Sequence, residues 1–144
     1  RIIACCINIK RGIVERDEHE TGERKLLNFG HTLGHALERY YNYIGITHGC
    51  AVAVGMALIT AASEKLGLTK QGTSKRLNDL LQMYRLPVNN SAKISEYISG
   101  VIMDKKRIGR NIDIVLLNTI GDAYTHSIFT NDLPSFVGIK EETA

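Results

Sequence analysis

The sequence predicts a mainly α-helical domain that carries one small β-hairpin near its end. Apolar residues recur at helical spacing along most of the chain. Near residue 112 this period changes to the alternation of apolar and polar residues that is typical of a strand. A chain of 144 residues, 44% apolar and 23% charged, is long enough to bury a core of its own. We therefore expect residues 1–144 to form a single bundle of five or six helices with one hairpin.

The first half of the chain predicts three helices. Apolar residues at helical spacing predict the first over residues 1–15, and the polar, glycine-containing stretch 17–22 predicts a loop. A second helix is predicted over residues 23–41. After a short connection, Thr47 is a suitable N-cap for a third helix, which Gly67 ends.

The second half predicts shorter elements. Leucines and a tyrosine at helical spacing predict a helix over residues 69–84, which Pro87 closes. A further helix is predicted over residues 91–104. The remaining predicted elements are a strand at 112–116, a turn at 121–122, a strand at 123–128 and a short helix at 133–137.

The composition excludes some classes of partner. A net charge of +3, spread along the chain, gives little support for nucleic-acid binding. The longest uncharged apolar run, residues 49–62, is too short to cross a bilayer. Three cysteines, an odd and sparse set, indicate reduced thiols and a cytoplasmic location. Because the chain opens at Arg1 directly into an apolar helix, we also expect a piece of a longer protein.

Three histidines form a candidate metal site. His31 and His35 are four residues apart on one predicted helix and project from one face, and His48 begins the next helix. Neutral imidazole is a common zinc ligand, and facing helices commonly assemble such sites. The alternative is that these histidines pack or face solvent. His48 can reach His31 only if residues 42–47 double back over the roughly 15 Å that the helix climbs.

Glycines flank these histidines inside the predicted helices, where glycine is less stabilising than alanine. Gly30 and Gly34 lie one turn apart, and Gly49 and Gly55 follow His48. Each glycine inside a helix costs roughly 1 kcal/mol relative to alanine, so each needs a reason. Close approach of a ligand and close packing of another helix both remain open.

One face of the predicted second helix is polar where a plain core helix would be apolar. If residues 23–41 are one helix, Arg24, Asn28, His31 and His35 share this face. Together with His48, these residues would form a pocket for an anion and a cation.

The residues around the histidines resemble those of a known enzyme family. DEHETGERKLLNFGHTLGHALE (17–38), HGCAVAVGM (48–56) and the later run Asp104-Lys105-Lys106 are similar to the blocks of 3-dehydroquinate synthases. The resemblance covers nearly the whole chain and implies the helical C-terminal domain of the dehydroquinate synthase-like and iron-type alcohol dehydrogenase superfamily. Other sugar-phosphate cyclases, such as 2-deoxy-scyllo-inosose synthase, have similar blocks and are the nearest alternative.

The resemblance implies a metal site. A divalent metal, zinc or cobalt, would be held by His31, His48 and a glutamate from a helix that precedes Arg1. Two imidazoles alone would bind zinc weakly, because a catalytic site normally has three protein ligands. Cys50 stands where many members have glutamate, so thiol coordination is an alternative to its behaviour as a small hydrophobe.

The resemblance also implies substrate contacts. Lys10 and Arg24 would bind the substrate carboxylate, while Asn28, His35 and one of Lys105 and Lys106 would contact its phosphate. Lys10 and His35 are the candidate catalytic residues, and His35 could relay a proton. The alternative for the charged residues is a solvated surface. His19 and His126 match no family role.

The reaction that the resemblance implies is the conversion of 3-deoxy-D-arabino-heptulosonate 7-phosphate to 3-dehydroquinate and phosphate in the shikimate pathway of aromatic amino-acid biosynthesis. NAD+ would oxidise and later reduce the substrate, yet the chain has no strand followed by a GxGxxG turn. We therefore expect an N-terminal NAD-binding domain outside this chain, an inactive isolated chain, and a homodimer at full length. A non-catalytic helical metal-binding module and a dimerisation or scaffold domain are the alternatives from other classes.

Overall fold

The structure, a computed structural model, describes residues 1–105 and 111–139, with side chains described up to residue 99 in the first range. Its elements are helices α1 (Ile2–Arg16), α2 (His31–Tyr40), α3 (His48–Lys65), α4 (Thr73–Met83), α5 (Ile94–Lys105) and α6 (Leu133–Phe136), strands β1 (Asn111–Thr119) and β2 (Asp122–Phe129), and 3-10 segments Glu23–Asn28 and Thr130–Asp132. This order confirms the predicted helical fold with one hairpin.

Helix α3 has the predicted ends. The Thr47 hydroxyl accepts a hydrogen bond from the backbone N–H of Cys50 at 3.4 Å, which satisfies one free donor of the first turn. The helix stops at Lys65, and Gly67 follows with a φ of +74°, a conformation that glycine adopts without strain.

The predicted second helix, residues 23–41, is wrong as one continuous element. Residues Glu23–Asn28 form a 3-10 segment, and α2 begins only at His31. Between them Gly30 has a φ of +79°, which breaks the helical path. Arg24 and Asn28 therefore do not share a helix face with His31 and His35.

The hairpin is antiparallel, with Asn111 opposite Phe129 and an irregularity between Leu117 and Thr119. The apolar residues of β1 pack with Leu33 of α2 and Ile59 of α3 in one core cluster. Helices α2 and α3 form a second cluster with Tyr97, and α3 and α4 form a third. Helix α3 therefore lies at the centre of the molecule.

Helix α1 differs from the other long helices, because none of its residues is buried. Ile2, Ile3, Ile7 and Ile9 are more than half exposed. Cys5 and Cys6 on this helix are free thiols, as is the half-buried Cys50. In the described part of the chain, no helix has the length and apolar character needed to span a membrane.

Candidate metal and anion site

The site is built on the crossing of α2 and α3. A Cβ atom on Gly55 would lie 2.1 Å from the carbonyl oxygen of Gly30, and one on Gly34 would lie 3.1 Å from the Cα of Val52. Side chains at these positions would push the helices apart. Close packing between helices therefore accounts for these glycines, whereas a Cβ on Gly49 would meet nothing within 4 Å.

This crossing brings the starts of the two helices together. His31 and His48 are each the first residue of their helix, after Gly30 and Thr47 as N-caps. The connecting segment doubles back as required, through left-handed φ values at Asn42 (51°) and Tyr43 (60°). The free N–H groups and the positive dipole ends of both helices therefore lie beside the histidines, which favours an anionic ligand.

The three imidazoles form a compact triangle. The distances between ring centroids are 5.4 Å for His31 and His35, 5.2 Å for His31 and His48, and 5.6 Å for His35 and His48. His31 and His48 thus lie on the same side of the molecule, as a shared metal site requires.

In each histidine, the Nδ1 atom of the ring forms a hydrogen bond. Nδ1 of His31 lies 3.3 Å from the Phe29 carbonyl oxygen, Nδ1 of His35 lies 2.8 Å from Oε2 of Glu38, and Nδ1 of His48 lies 3.1 Å from Oε1 of Glu38. A carbonyl or an ionised carboxylate only accepts, so each Nδ1 donates when the ring is neutral. Within residues 1–105 and 111–139, none of the three Nε2 atoms has a hydrogen-bond partner. Their lone pairs are available for a ligand.

Glu38 is a residue of this site for which no role was predicted. It is 8% exposed and lies one turn after His35 on α2. Burial alone would raise the pKa of Glu38, but the hydrogen bonds from His35 and His48 outweigh it, so the pKa lies below its usual range. The spacing of His31, His35 and Glu38, at i, i+4 and i+7, was the signal that could have identified it.

The environment also favours the neutral form of His31. Burial lowers the pKa of the His31 imidazole, the hydrogen bond to Phe29 opposes this shift, and the neighbouring His35 and His48 add to it. A neutral imidazole is the form that binds a metal.

The donor set fits a divalent metal in two ways. Three free Nε2 atoms and hydrogen-bonded Nδ1 atoms match the arrangement in which a carboxylate or carbonyl orients a metal-binding imidazole. Alternatively, ligand atoms of His35, Glu38 and His48 all lie within 4.8 Å of one another. Among the described residues, Cys50 belongs to no such group.

Arg24 and Asn28 lie on the 3-10 segment, which a loop carboxylate holds in place. Asp17 accepts hydrogen bonds from the backbone N–H groups of Thr21, Gly22 and Arg24. The bond from Arg24 is the largest cause that lowers the pKa of Asp17 to about 2. The guanidinium of Arg24 donates to the carbonyl of Glu18 at 2.6 Å, and the amide of exposed Asn28 donates to Glu20.

The remaining candidate residues are less constrained. Lys10 is exposed on α1, with no hydrogen-bond or ion-pair partner in the described part of the chain. Lys105 ends α5, but its side chain, like the whole of Lys106, lies outside what the structure describes. The substrate contacts assigned to Lys10, Arg24, Asn28, His35, Lys105 and Lys106 therefore stay predictions.

Comparison with known proteins gives one consistent set of relatives. The family model described as 3-dehydroquinate synthase C-terminal matches residues 1–107. The 3-dehydroquinate synthase of Clostridium acetobutylicum is 41% identical over 96% of this chain, and that of Clostridium beijerinckii is 48% identical over 86%. The chain spans 39% and 36% of the length of these relatives.

Solved structures show the same fold at lower identity. A 2-deoxy-scyllo-inosose synthase, complexed with carbaglucose-6-phosphate, NAD+ and Co2+, matches 92% of this chain with a TM-score of 0.73 and 23% identity. A 2-epi-5-epi-valiolone synthase from Streptomyces hygroscopicus subsp. jinggangensis 5008, with NAD+ and Zn2+ bound, matches 88% with a TM-score of 0.70 and 21% identity. The match covers 39% and 35% of those chains.

Proposed function

Because this chain belongs to the 3-dehydroquinate synthase family, we propose that it forms the metal- and substrate-binding part of a phosphate-eliminating lyase. The whole enzyme would convert 3-deoxy-D-arabino-heptulosonate 7-phosphate to 3-dehydroquinate and phosphate, a step of the shikimate pathway. The observation that carries this proposal is the triangle of His31, His35 and His48 beside two helix N-termini. A cation held by Nε2 atoms, next to helix ends that favour anions, suits a phosphorylated sugar acid.

The same observation disfavours the non-catalytic alternatives. A metal-binding module requires imidazole ligands but no anion-favouring helix ends beside them, and a scaffold domain would leave three clustered histidines without a role. The nearest enzymatic rival is a related sugar-phosphate cyclase, such as 2-deoxy-scyllo-inosose synthase. We prefer the dehydroquinate synthase because relatives of that name are 41% and 48% identical, against 23% and 21% for the cyclases.

In this proposal His31 and His48 bind a divalent metal, zinc or cobalt, together with a glutamate from outside the chain. When bound, the metal would polarise the substrate hydroxyl that is oxidised. Lys10 and Arg24 would bind the substrate carboxylate; for Arg24 this requires the guanidinium to exchange or share its contact with the Glu18 carbonyl.

The phosphate would lie against Asn28, His35 and one of Lys105 and Lys106. Positive charge at this end of the substrate stabilises the phosphate as it leaves. His35 is well placed for proton transfer, because its Nε2 atom is free and its ring is more than half exposed. Lys10 and His35 are thus the catalytic residues in this proposal.

We propose that NAD+ is bound mainly by residues outside this chain, and that NAD+ supplies the reversible oxidation of the substrate. In the described residues the sheet is a two-stranded antiparallel hairpin, without the strand, glycine-rich turn and helix of a dinucleotide site. On this view the isolated chain is inactive, and the whole enzyme is a homodimer. The free thiols of Cys5, Cys6 and Cys50 support a cytoplasmic location.

The test is a chimera in which this chain replaces the matching 39% of the Clostridium acetobutylicum enzyme. With NAD+ and Zn2+, we expect the chimera to release phosphate from 3-deoxy-D-arabino-heptulosonate 7-phosphate, and the isolated chain to release none. His48→Ala should abolish this activity, whereas His19→Ala, at an exposed histidine without a proposed role, should retain it. A folded chimera that acts only on glucose 6-phosphate would favour the rival cyclase, and turnover by the isolated chain would refute its predicted inactivity.

A further inference from the structure

We propose that Glu38 is a positioning residue that fixes the tautomers of two histidines at once, so that His35 and His48 both present an unprotonated Nε2 atom to the site. What those Nε2 atoms do, binding a metal and transferring a proton, rests on the proposed function. The hydrogen bonds that carry the inference are independent of any metal or substrate.

The two carboxylate oxygens are divided between the two rings. Oε2 of Glu38 lies 2.8 Å from Nδ1 of His35, and Oε1 lies 3.1 Å from Nδ1 of His48. An ionised carboxylate has no proton to donate, so a neutral imidazole must place its proton on Nδ1 to make either bond. One side chain therefore specifies the protonated nitrogen in both rings.

Packing does not hold these rings in place. The side chains of His35 and His48 are 60% and 55% exposed, while that of Glu38 is 10% exposed. Glu38 lies on α2, next in sequence to Leu37, which has 0% exposure. A buried carboxylate thus anchors two rings that would otherwise rotate in solvent.

The two rings come from different helices, so Glu38 also joins them. His35 lies on the same helix as Glu38, three residues earlier, and His48 begins α3. In the proposed function His48 is a metal ligand and His35 a phosphate contact. Glu38 would therefore couple the orientation of the metal ligand to that of the proton-transfer residue.

A Glu38→Gln substitution distinguishes the positioning role of Glu38 from a contribution to packing alone. Glutamine has almost the same shape as glutamate, but it offers one accepting oxygen and one NH2 donor. Only one imidazole can then donate to it. The other would have to accept at Nδ1, which moves its proton to Nε2 and removes the lone pair from the site.

The first experiment measures tautomers in the metal-free 144-residue chain. Long-range 1H–15N correlation spectra at pH 8, above the usual imidazole pKa of about 6.5, distinguish Nδ1–H from Nε2–H rings. We expect His35 and His48 to carry Nδ1–H in the wild type, and one of them to change to Nε2–H in Glu38→Gln. If both rings kept Nδ1–H in the folded variant, the proposal would be overturned.

The matched control is Glu64→Gln. Glu64 also accepts two hydrogen bonds, from the backbone N–H groups of Gly72 and Ser74, but it touches none of the three histidines. We expect this variant to lower stability and to leave all imidazole tautomers unchanged. A tautomer change in Glu64→Gln equal to that in Glu38→Gln would show a general loss of structure and would overturn the specific role.

The second experiment adds Zn2+ alone and follows the same spectra, with affinity measured by calorimetry. We expect ligation of His48 through Nε2, and about a 10- to 100-fold loss of affinity in Glu38→Ala. Ligation of His35 or His48 through Nδ1 would mean that the metal replaces the hydrogen bond to Glu38, and would overturn the positioning role. If the wild type bound no Zn2+, the histidines would not hold the metal without the glutamate from outside the chain, whereas the tautomer experiment would still decide the role of Glu38.

Discussion

The crossing of α2 and α3 and the helix α1 carry candidate residues of the same proposed site, yet they are built in opposite ways. At the crossing, backbones touch at Gly30, Gly34 and Gly55, and the three histidines are fixed within a few ångströms. On α1 no residue is buried, and Lys10 has no partner among the described residues. The chain's own core thus sets where the backbones of the three histidines lie, while it does not set the position of Lys10.

Among the substitutions that test this difference, the largest effect on the free energy of unfolding is expected at Gly55. In Gly55→Ala the new Cβ would meet the Gly30 carbonyl at 2.1 Å, and backbone atoms cannot yield as a flexible side chain can. We expect a loss of about 3 kcal/mol or more in the free energy of unfolding, because the helices must separate. Urea denaturation measures this loss, and Zn2+ binding should weaken in parallel as the histidines move apart.

Gly49→Ala is the matched control on the same helix. Its Cβ would meet nothing within 4 Å, and alanine is favoured over glycine in a helix by about 1 kcal/mol. We expect unchanged or increased stability and unchanged Zn2+ binding. Equal damage from Gly49→Ala and Gly55→Ala would contradict the close crossing as the basis of the site.

These glycines also show which features of the fold can be predicted from the sequence and which cannot. The start of α3 at Thr47 and its end before Gly67 follow from local chemistry and were predicted correctly. The break at Gly30 was missed, because nothing local distinguishes a helix-interior glycine from one whose φ is positive. The contact with Met56 and Val52 of α3, seen only in three dimensions, leaves no room for a side chain there.

The candidate site, too, could be predicted only in part. The spacing of His31, His35 and His48 left open whether they converge, and the ring distances show that they do. Glu38 was overlooked, because a glutamate in the last turns of a helix usually faces solvent. Its role depends on the angle at which α3 brings His48 to α2, and that angle is not encoded in the spacing of either helix alone.

A substitution at Asp17, in the loop between the two regions, is expected to have an intermediate effect on stability. The folded pKa of Asp17, about 2, is below its ordinary value of 3.8. Asp17 therefore contributes stability above about pH 3.8 that is lost as the pH falls through about 2. Asp17→Asn keeps one accepting oxygen where two now serve three backbone N–H groups.

We expect Asp17→Asn to lower the melting temperature at pH 7 by less than Gly55→Ala does, and to flatten the decline in stability between pH 3.8 and about 2. Thermal unfolding across this pH range measures both. The spectra of the three histidines should stay unchanged, because the loop lies outside the α2–α3 crossing. A large change in those spectra would show that the loop and the crossing are one cooperative unit.

The smallest effect is expected on α1. Ile3 and Ile7 are 76% and 61% exposed, so serines at both positions remove little buried apolar surface. For the double variant Ile3→Ser, Ile7→Ser we expect the free energy of unfolding to change by no more than about 0.5 kcal/mol. A larger loss that grows with protein concentration would mean that α1 packs against a second copy in solution. Lys10 would then be positioned by that contact, and the contrast between the two regions would disappear on assembly.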